Sequence, residues 1–423
     1  MAGPSIDAGG ERSTAARTGS AAAPAAPGRG AVLVLGALVA LGPLTTDLYL
    51  PALPALTTDL HSTAPAVQLT LTASLLGMAL GQVLFGPASD RHGRRRPLLA
   101  GMGLYAVATL VCALTPSVPV LVAARFAQGA AGAAGLVIAR AVARDRYEGV
   151  AMIRFMASLA LVSGLAPILG PVLGAQLLHV TSWRGGFVLL AAVGVLLTVA
   201  AALGVGESLP PERRHAGGLS TTVRAVGGLL RDRRFVGFTA TTTFSFGALF
   251  GYVSGSSTVL QEVYHVSPQT YSLLFAVNSA ALMASTQLNG RVLAGRLTPA
   301  ALILTGQAGA VLAGAVLTLA GLSGAGPAVA APAMCLLMAA MGVVGPNASA
   351  RALTLAPHAA GSASALLGVA TFVCGAVVAP LSSAGGHPSA TALGLVVLVC
   401  ALLSALAFLT LCRPRREPVP AAA

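Results

Sequence analysis

The sequence predicts an all-α membrane protein whose helices form two sets of six. Three observations carry this. Charged residues fill 9% of the 423 positions and hydrophobic residues 56%, where a soluble domain carries about 25% charged residues. Twelve apolar runs recur along the chain, each near the ~20 residues that cross a bilayer as a helix. One long polar stretch, 206–234, divides those runs six and six. The run lengths and the lack of two-residue alternation exclude the strands of a membrane barrel. A mean hydropathy of +0.83 leaves most of the surface facing lipid.

In chain order, residues 1–30 are rich in Ala, Gly, Ser, Pro and Arg and predict a disordered cytoplasmic tail. The run after it is too long for the apolar core of a signal peptide and is read as a retained span. The first six runs cover 31–56, 66–86, 97–114, 118–141, 155–178 and 185–205. The second six cover 235–257, 271–288, 300–322, 329–348, 361–382 and 390–411, before a second cytoplasmic tail at 413–423. The two parts, 31–205 and 235–412, are nearly equal in length and predict two six-helix bundles that arose by duplication, joined by a cytoplasmic linker over 206–234.

All 25 basic residues are Arg. With the N-terminus inside, all but Arg125, Arg140 and Arg184 fall in inner loops and tails; Arg140 ends a run on the inner side and Arg184 lies in an outer loop. That asymmetry predicts cytoplasmic termini and accounts for the net charge of +13 without nucleic acid, for which no motif is present. The five cysteines have no paired spacing and the seven histidines never cluster, so neither a metal site nor a disulfide framework is expected. No nucleophile–base pair suggests an enzyme.

Within the first run stands Asp47, the one acidic residue well inside an apolar run. A carboxylate at membrane depth is costly unless neutralised, paired or hydrated, and so marks function. The fourth run carries a second charge in Arg125-Phe-Ala-Gln128-Gly129. At 1.5 Å per residue, Arg125 lies about 10 Å and Asp47 about 13 Å from the same outer end. An ion pair between them, direct or through water, is expected, and protonation of Asp47 would break it. Pro51 and Pro54 predict a break near the outer end of the Asp47 helix.

The loop Gly86-Pro-Ala-Ser-Asp90-Arg91-His-Gly93-Arg94-Arg95-Arg96-Pro97 asks for more than inward positive charge. Gly86 would let helices approach, Gly93 would allow a tight turn, and Asp90 would pair with Arg94 or cap a helix. A counterpart in the second half, Asn289-Gly290-Arg291 with Gly295-Arg296, lacks the acid. In the fifth run, Gly164-Leu-Ala-Pro167-Ile-Leu-Gly170-Pro171-Val-Leu-Gly174 predicts a bent helix with Gly170 and Gly174 on one closely packed face. Phe246, Phe250 and Tyr252 in the seventh run and Asn278 in the eighth, with Tyr49 and Gln128, are candidates for a substrate cavity.

The 86–97 loop resembles the inner loop between spans two and three of the major facilitator superfamily. The resemblance implies that Gly86, Asp90, Arg91, Gly93 and Arg94 form a conformational latch. The Arg125–Gly129 stretch is similar to the fourth-span motif of proton-driven facilitators, and the Gly164–Gly174 pattern to the fifth-span motif of antiporters. Thr46-Asp47-Leu-Tyr-Leu-Pro51-Ala-Leu-Pro54, Trp183-Arg184 and Gly361-Ser-Ala-Ser-Ala-Leu-Leu-Gly368 resemble the bicyclomycin/chloramphenicol-resistance branch of the drug:proton antiporters. The resemblance spans residues 31 to about 411. It implies a monomer of the bacterial plasma membrane that exports small amphipathic drugs against protons, with no cofactor beyond the proton gradient. Uptake of a small nutrient by proton symport is the alternative on the same fold.

Overall fold

A computed structural model describes residues 29–147, 149–214, 226–356, 360–383 and 389–412. Residues 1–28 of the expected N-terminal tail, all of the expected C-terminal tail and the middle of the expected linker lie outside the described residues. The apolar runs are helical among the described residues, as their length requires. The first half holds α1 (Arg29–Asp47), α2 (Leu53–Asp59), α3 (Ala64–His92), α4 (Arg95–Leu114), α5 (Val118–Arg146), α6 (Gly149–Val180) and α7 (Trp183–Gly204). The second holds α8 (Arg233–Thr258), α9 (Pro268–Leu288), α10 (Pro299–Ser323), α11 (Pro327–Thr354), α12 (Ala360–Val378) and α13 (Ala390–Ala407). Among the described residues, nine helical stretches are long and apolar enough to cross a membrane.

Local chemistry sets the helix ends. The side chains of Thr63, Asp232, Ser267, Thr298 and Ser389 each accept a backbone N–H of the first turn of the helix that follows, satisfying donors a helix cannot bond itself. Gly93, with φ of 83°, ends α3 in a conformation that a side chain would strain. The run 31–56 breaks near its outer end, where Pro51 and Pro54 predict it. A 3₁₀ turn at Leu50–Ala52 separates α1 from α2, because Pro51 and Pro54 bring no N–H to the carbonyls four residues before them.

α1 packs on α5, α6 and α7, α3 on α5, and α4 on α5 and α7, while the helices after the linker pack chiefly among themselves. The two groups meet along two seams, α3 against α12 and α6 against α9. In helix order these seams are reciprocal, each joining the second long helix of one group to the fifth of the other. Tight contact of α3 with α5 rests on small residues. A Cβ on Gly77 would fall on the Phe126 carbonyl, and one on Gly129 on the Ser74 carbonyl. Leucines such as Leu114, Leu203 and Leu322 are exposed along the outside, as expected of surfaces that meet lipid.

Candidate functional site

The helix break places Asp47 at the last residue of α1, where it is only 6% exposed. Against it packs the Gly/Pro helix. A Cβ built on Gly170 would lie 3.1 Å from Asp47 Cβ, and one on Gly174 would strike the Leu48 carbonyl. Gly170 and Gly174 share a face, as the sequence predicts, and that face seats α6 on the Asp47 turn. Pro171 brings no N–H to the Pro167 carbonyl, which accepts instead from Ser279 Oγ of α9 at 3.3 Å. Gly164 faces the other way, toward the Met283 sulfur. Two packing partners of Asp47's surroundings thus come from one motif.

Arg125 is fully buried, which rules out snorkelling to an interface. The direct Asp47–Arg125 ion pair is not made. Nη1 of Arg125 donates to the Thr45 carbonyl at 3.2 Å and to Gln128 Oε1 at 2.6 Å. Gln128 Nε2 donates in turn to Thr109 Oγ1 at 2.8 Å. The guanidinium lies over the Tyr49 ring, 4.6 Å from its centroid, with Phe187 at 5.7 Å. Tyr49 and Thr70 share a hydroxyl–hydroxyl bond of 2.7 Å, and Tyr105 and Thr45 one of 2.6 Å. An aromatic face and carbonyl dipoles thus stand where a carboxylate was expected. Depth arithmetic put the two charges at one level but carried no azimuth: Arg125 turns to the carbonyl two residues before Asp47. Nε and Nη2 of Arg125 are buried without a protein partner.

Gln128 and Tyr49 are tied into the buried hydrogen-bond network of the first half, both being 1% exposed or less. The second-half candidates form two separate contact groups. Tyr252 accepts from Asn278 Nδ2 at 2.8 Å and stacks on Phe275. Phe246 stacks on Phe250, and Phe372 of α12 meets Phe246 edge-on, with centroids 5.8 Å apart in both pairs.

At the other end of the molecule, the expected Asp90–Arg94 pair is present at 2.5 Å. Arg94 also binds Asp145 at the end of α5, with Nε 2.8 Å from Oδ2, and donates to Ser89 Oγ. These carboxylates keep the guanidinium charged against the cost of its burial. The linker closes over them. Glu207 accepts the backbone N–H groups of Arg94, Arg95, Ser208 and Leu209, and Ser208 Oγ donates to Asp145 at 2.8 Å. Burial opposes charge on Glu207, but these N–H donors outweigh it and hold the carboxyl below its ordinary range. Gly93 serves twice, since a Cβ there would also strike the Glu207 carboxylate. Gly86 needs a different reading from the expected one: a Cβ on it would meet nothing, so it marks no helix contact. Arg91 is exposed.

Sequence reading missed Asp145 and Glu207. Both lie outside the loop they complete, 51 and 113 residues beyond Arg94. The one available signal was that each is an acid at the same end of a neighbouring run.

The comparisons agree with this layout. The family model described as Major Facilitator Superfamily matches residues 35–380. The chain is 38% identical over 384 residues to the uncharacterized MFS-type transporter YdgK of Bacillus subtilis, covering 90% of this chain and 95% of that one. It is 30% identical to the bicyclomycin resistance protein homolog of Haemophilus influenzae, covering 89% and 94%. In fold it resembles the xylose transporter XylE from E. coli in a partially occluded inward open conformation, with a TM-score of 0.70 at 16% identity over 92% and 98% of the two chains. Apolar helices in two reciprocal groups, an Arg94-centred ion-pair cluster at one end and a family match over most of the length lead to one assignment: the chain belongs to the major facilitator superfamily of membrane transporters.

Proposed function

We propose that this protein exports small amphipathic drugs or toxic metabolites across the bacterial plasma membrane in exchange for protons. It works by alternating access between two six-helix bundles, residues 31–205 and 235–412, with both termini and the 206–234 linker in the cytoplasm. The single observation that carries this reading is the state of Asp47. It is a buried carboxylate, at a helix break, with no hydrogen bond or ion pair among the described residues. A carboxylate at membrane depth is costly unless it is neutralised, and taking up a proton neutralises it. Its helix turn rests on Gly170 and Gly174, so a change of charge there acts where two helices are in closest contact.

Arg125 supports the site without pairing to it directly. By holding the Thr45 carbonyl it fixes the end of α1. Latch residues Asp90, Arg94 and Asp145 tie the cytoplasmic ends of α3, α4 and α5 together. Phe246, Phe250, Tyr252 and Asn278 offer apolar area with two polar groups to a bulky substrate. The names of relatives, bicyclomycin resistance above all, favour export of a drug over uptake of a nutrient.

The test is Asp47→Asn. In an efflux-deficient host carrying wild type or variant, resistance to bicyclomycin and chloramphenicol should be present with the first and absent with the second, at equal membrane levels. In inverted vesicles, an inside-acid gradient should drive accumulation by wild type only. Full gradient-driven accumulation by the variant would remove Asp47 from the mechanism.

A further inference from the structure

Four hydroxyls reach from one group of helices to the other; Ser382 Oγ donates to the Gln68 side chain at 3.5 Å, and the other three choose the same kind of acceptor. Thr72 Oγ1 of α3 donates to the Ala376 carbonyl of α12 at 2.8 Å. Ser279 Oγ of α9 donates to the Pro167 carbonyl of α6 at 3.3 Å. Ser257 Oγ of α8 donates to the Leu50 carbonyl, in the turn between α1 and α2, at 2.6 Å. Each acceptor stands four residues before a proline: Pro380, Pro171 and Pro54. In an unbroken helix that fourth residue would supply the N–H, and proline has none. Leu50 keeps a 3₁₀ bond from Leu53, and its second lone pair takes Ser257. A helical Ser or Thr ordinarily bonds back to its own preceding turn; these three donate across the seam instead.

The placement is systematic. The Thr72 and Ser279 bonds lie on the two reciprocal seams, α3–α12 and α6–α9. The Ser257 bond is reinforced by Gln261 Nε2, which donates to the Pro51 carbonyl at 3.3 Å and to Ser257 Oγ at 2.7 Å. The Ser257 pair lies at the end opposite the latch, and the acceptors Pro167 and Ala376 lie beyond the middle of their helices toward that same end. For the groups to part there, all three bonds must break.

We propose that Thr72, Ser257 and Ser279 are positioning residues of the transport cycle, clasping the carbonyls released by Pro380, Pro54 and Pro171 and so holding the end opposite the latch closed. This rests on the alternating-access reading, but its test needs no transport. The acceptor is specific to the proline. Replacing Pro54 by Ala restores an N–H that competes for the Leu50 carbonyl, so it should weaken the clasp in the same way as removing the Ser257 hydroxyl.

The experiment measures distances between spin labels on Ser182→Cys and Thr270→Cys, exposed positions on either side of that end. The protein is reconstituted in lipid nanodiscs in a background with the five native cysteines replaced. Ser257→Ala, Pro54→Ala and Thr72→Val should each raise the separated population about 3-fold, the size of one hydrogen bond inside a membrane protein. Ser257→Thr should behave as wild type. The double variant Ser257→Ala/Pro54→Ala should open no further than either single one, since both remove the same bond. Unchanged distances in Ser257→Ala and Thr72→Val, or additive effects in the double variant, would overturn the clasp. Should Pro54→Ala fold poorly, Pro380→Ala paired with Thr72→Val repeats the cycle on the other seam. Failure of Asp47→Asn to abolish export would leave this measurement untouched.

Discussion

The two groups of helices solve the same packing problem with different chemistry. At its latch end the first group ties α3, α4 and α5 through Arg94 and two carboxylates, Asp90 and Asp145. In the matching place of the second group, the end of α9 is tied to α11 by two neutral amides, Asn347 donating to Asn289 at 2.9 Å. The interiors differ in the same sense. The first group buries Arg125 with Gln128 and Thr109. The second buries Gln307, whose Nε2 donates to Ser404 Oγ at 3.0 Å; Ser404 shares a bond with Ser245 and donates to the Thr241 carbonyl. Neutral networks hold helices together but do not respond to protons. The two charged side chains buried in the helix interior, Asp47 and Arg125, both sit in the first half.

The sharpest way to break that contrast is to remove one member from each tie. Arg94→Ala leaves Asp90 and Asp145 facing each other with no cation. Arg94 is buried but Asp90 is half exposed, so the loss falls short of that for a fully buried pair, at about 2 kcal/mol, and thermal unfolding in detergent should register a loss of that order together with loss of export. Asn347→Ala removes two neutral hydrogen bonds, to Asn289 and to the Val343 carbonyl of its own helix; only the first ties two helices, that tie is worth about 1 kcal/mol, and export should stay within a few-fold of wild type. Comparable losses from both would mean the charged and neutral ties do equivalent work.

Much of this asymmetry is legible in the sequence. The runs, the Asp47 carboxylate, the Asp90–Arg94 spacing of four residues and the missing acid after Asn289 are local patterns, and local patterns survive into the fold. Helix spacing of four residues also predicts that Gly170 and Gly174 share a face. What that face touches was not legible, because it depends on which helices become neighbours. For the same reason the sequence led to an Arg125–Asp47 pair, where the structure turns the guanidinium to the Thr45 carbonyl and the Tyr49 ring. Depth along a helix follows from counting residues; rotation about its axis follows only from packing. Asp145 and Glu207 escaped notice on the same ground, each being unremarkable until the fold brings it to Arg94.

A second comparison concerns glycines that look alike in sequence. Gly174→Ala places a methyl group on the Leu48 carbonyl, one residue past Asp47, whereas Gly290→Ala places it in open space. Overpacking of a close backbone contact costs about 1–3 kcal/mol. Gly174→Ala should therefore lower the melting temperature and depress export, while Gly290→Ala should leave both at wild-type values. Purified variants compared by thermal unfolding and by drug accumulation in inverted vesicles decide it. A silent Gly174→Ala would show that the α6–α1 crossing yields easily, and the link between the Gly/Pro helix and Asp47 would lose its physical basis.

The smallest effect belongs to Glu207, and its sign separates the two halves once more. Its folded carboxyl titrates below the ordinary value of 4.5, because four backbone N–H groups favour the charged form. A depressed carboxyl adds stability that is complete at neutral pH and is lost as pH falls below that ordinary value and through the lower folded one. Because the group is largely open to solvent, the contribution is below about 1 kcal/mol. Glu207→Gln keeps the oxygen that accepts from Arg94, Ser208 and Leu209, but turns an amide toward the Arg95 N–H and the Arg214 guanidinium, 4.0 Å from the second oxygen. Melting curves of wild type and Glu207→Gln should therefore differ at pH 7 and converge as the pH falls below 4.5 and through the lower folded value, where the wild-type carboxyl also carries a proton. A gap of constant size across that range would mean that the carboxylate charge contributes nothing to the linker's hold on the latch, leaving only its shape.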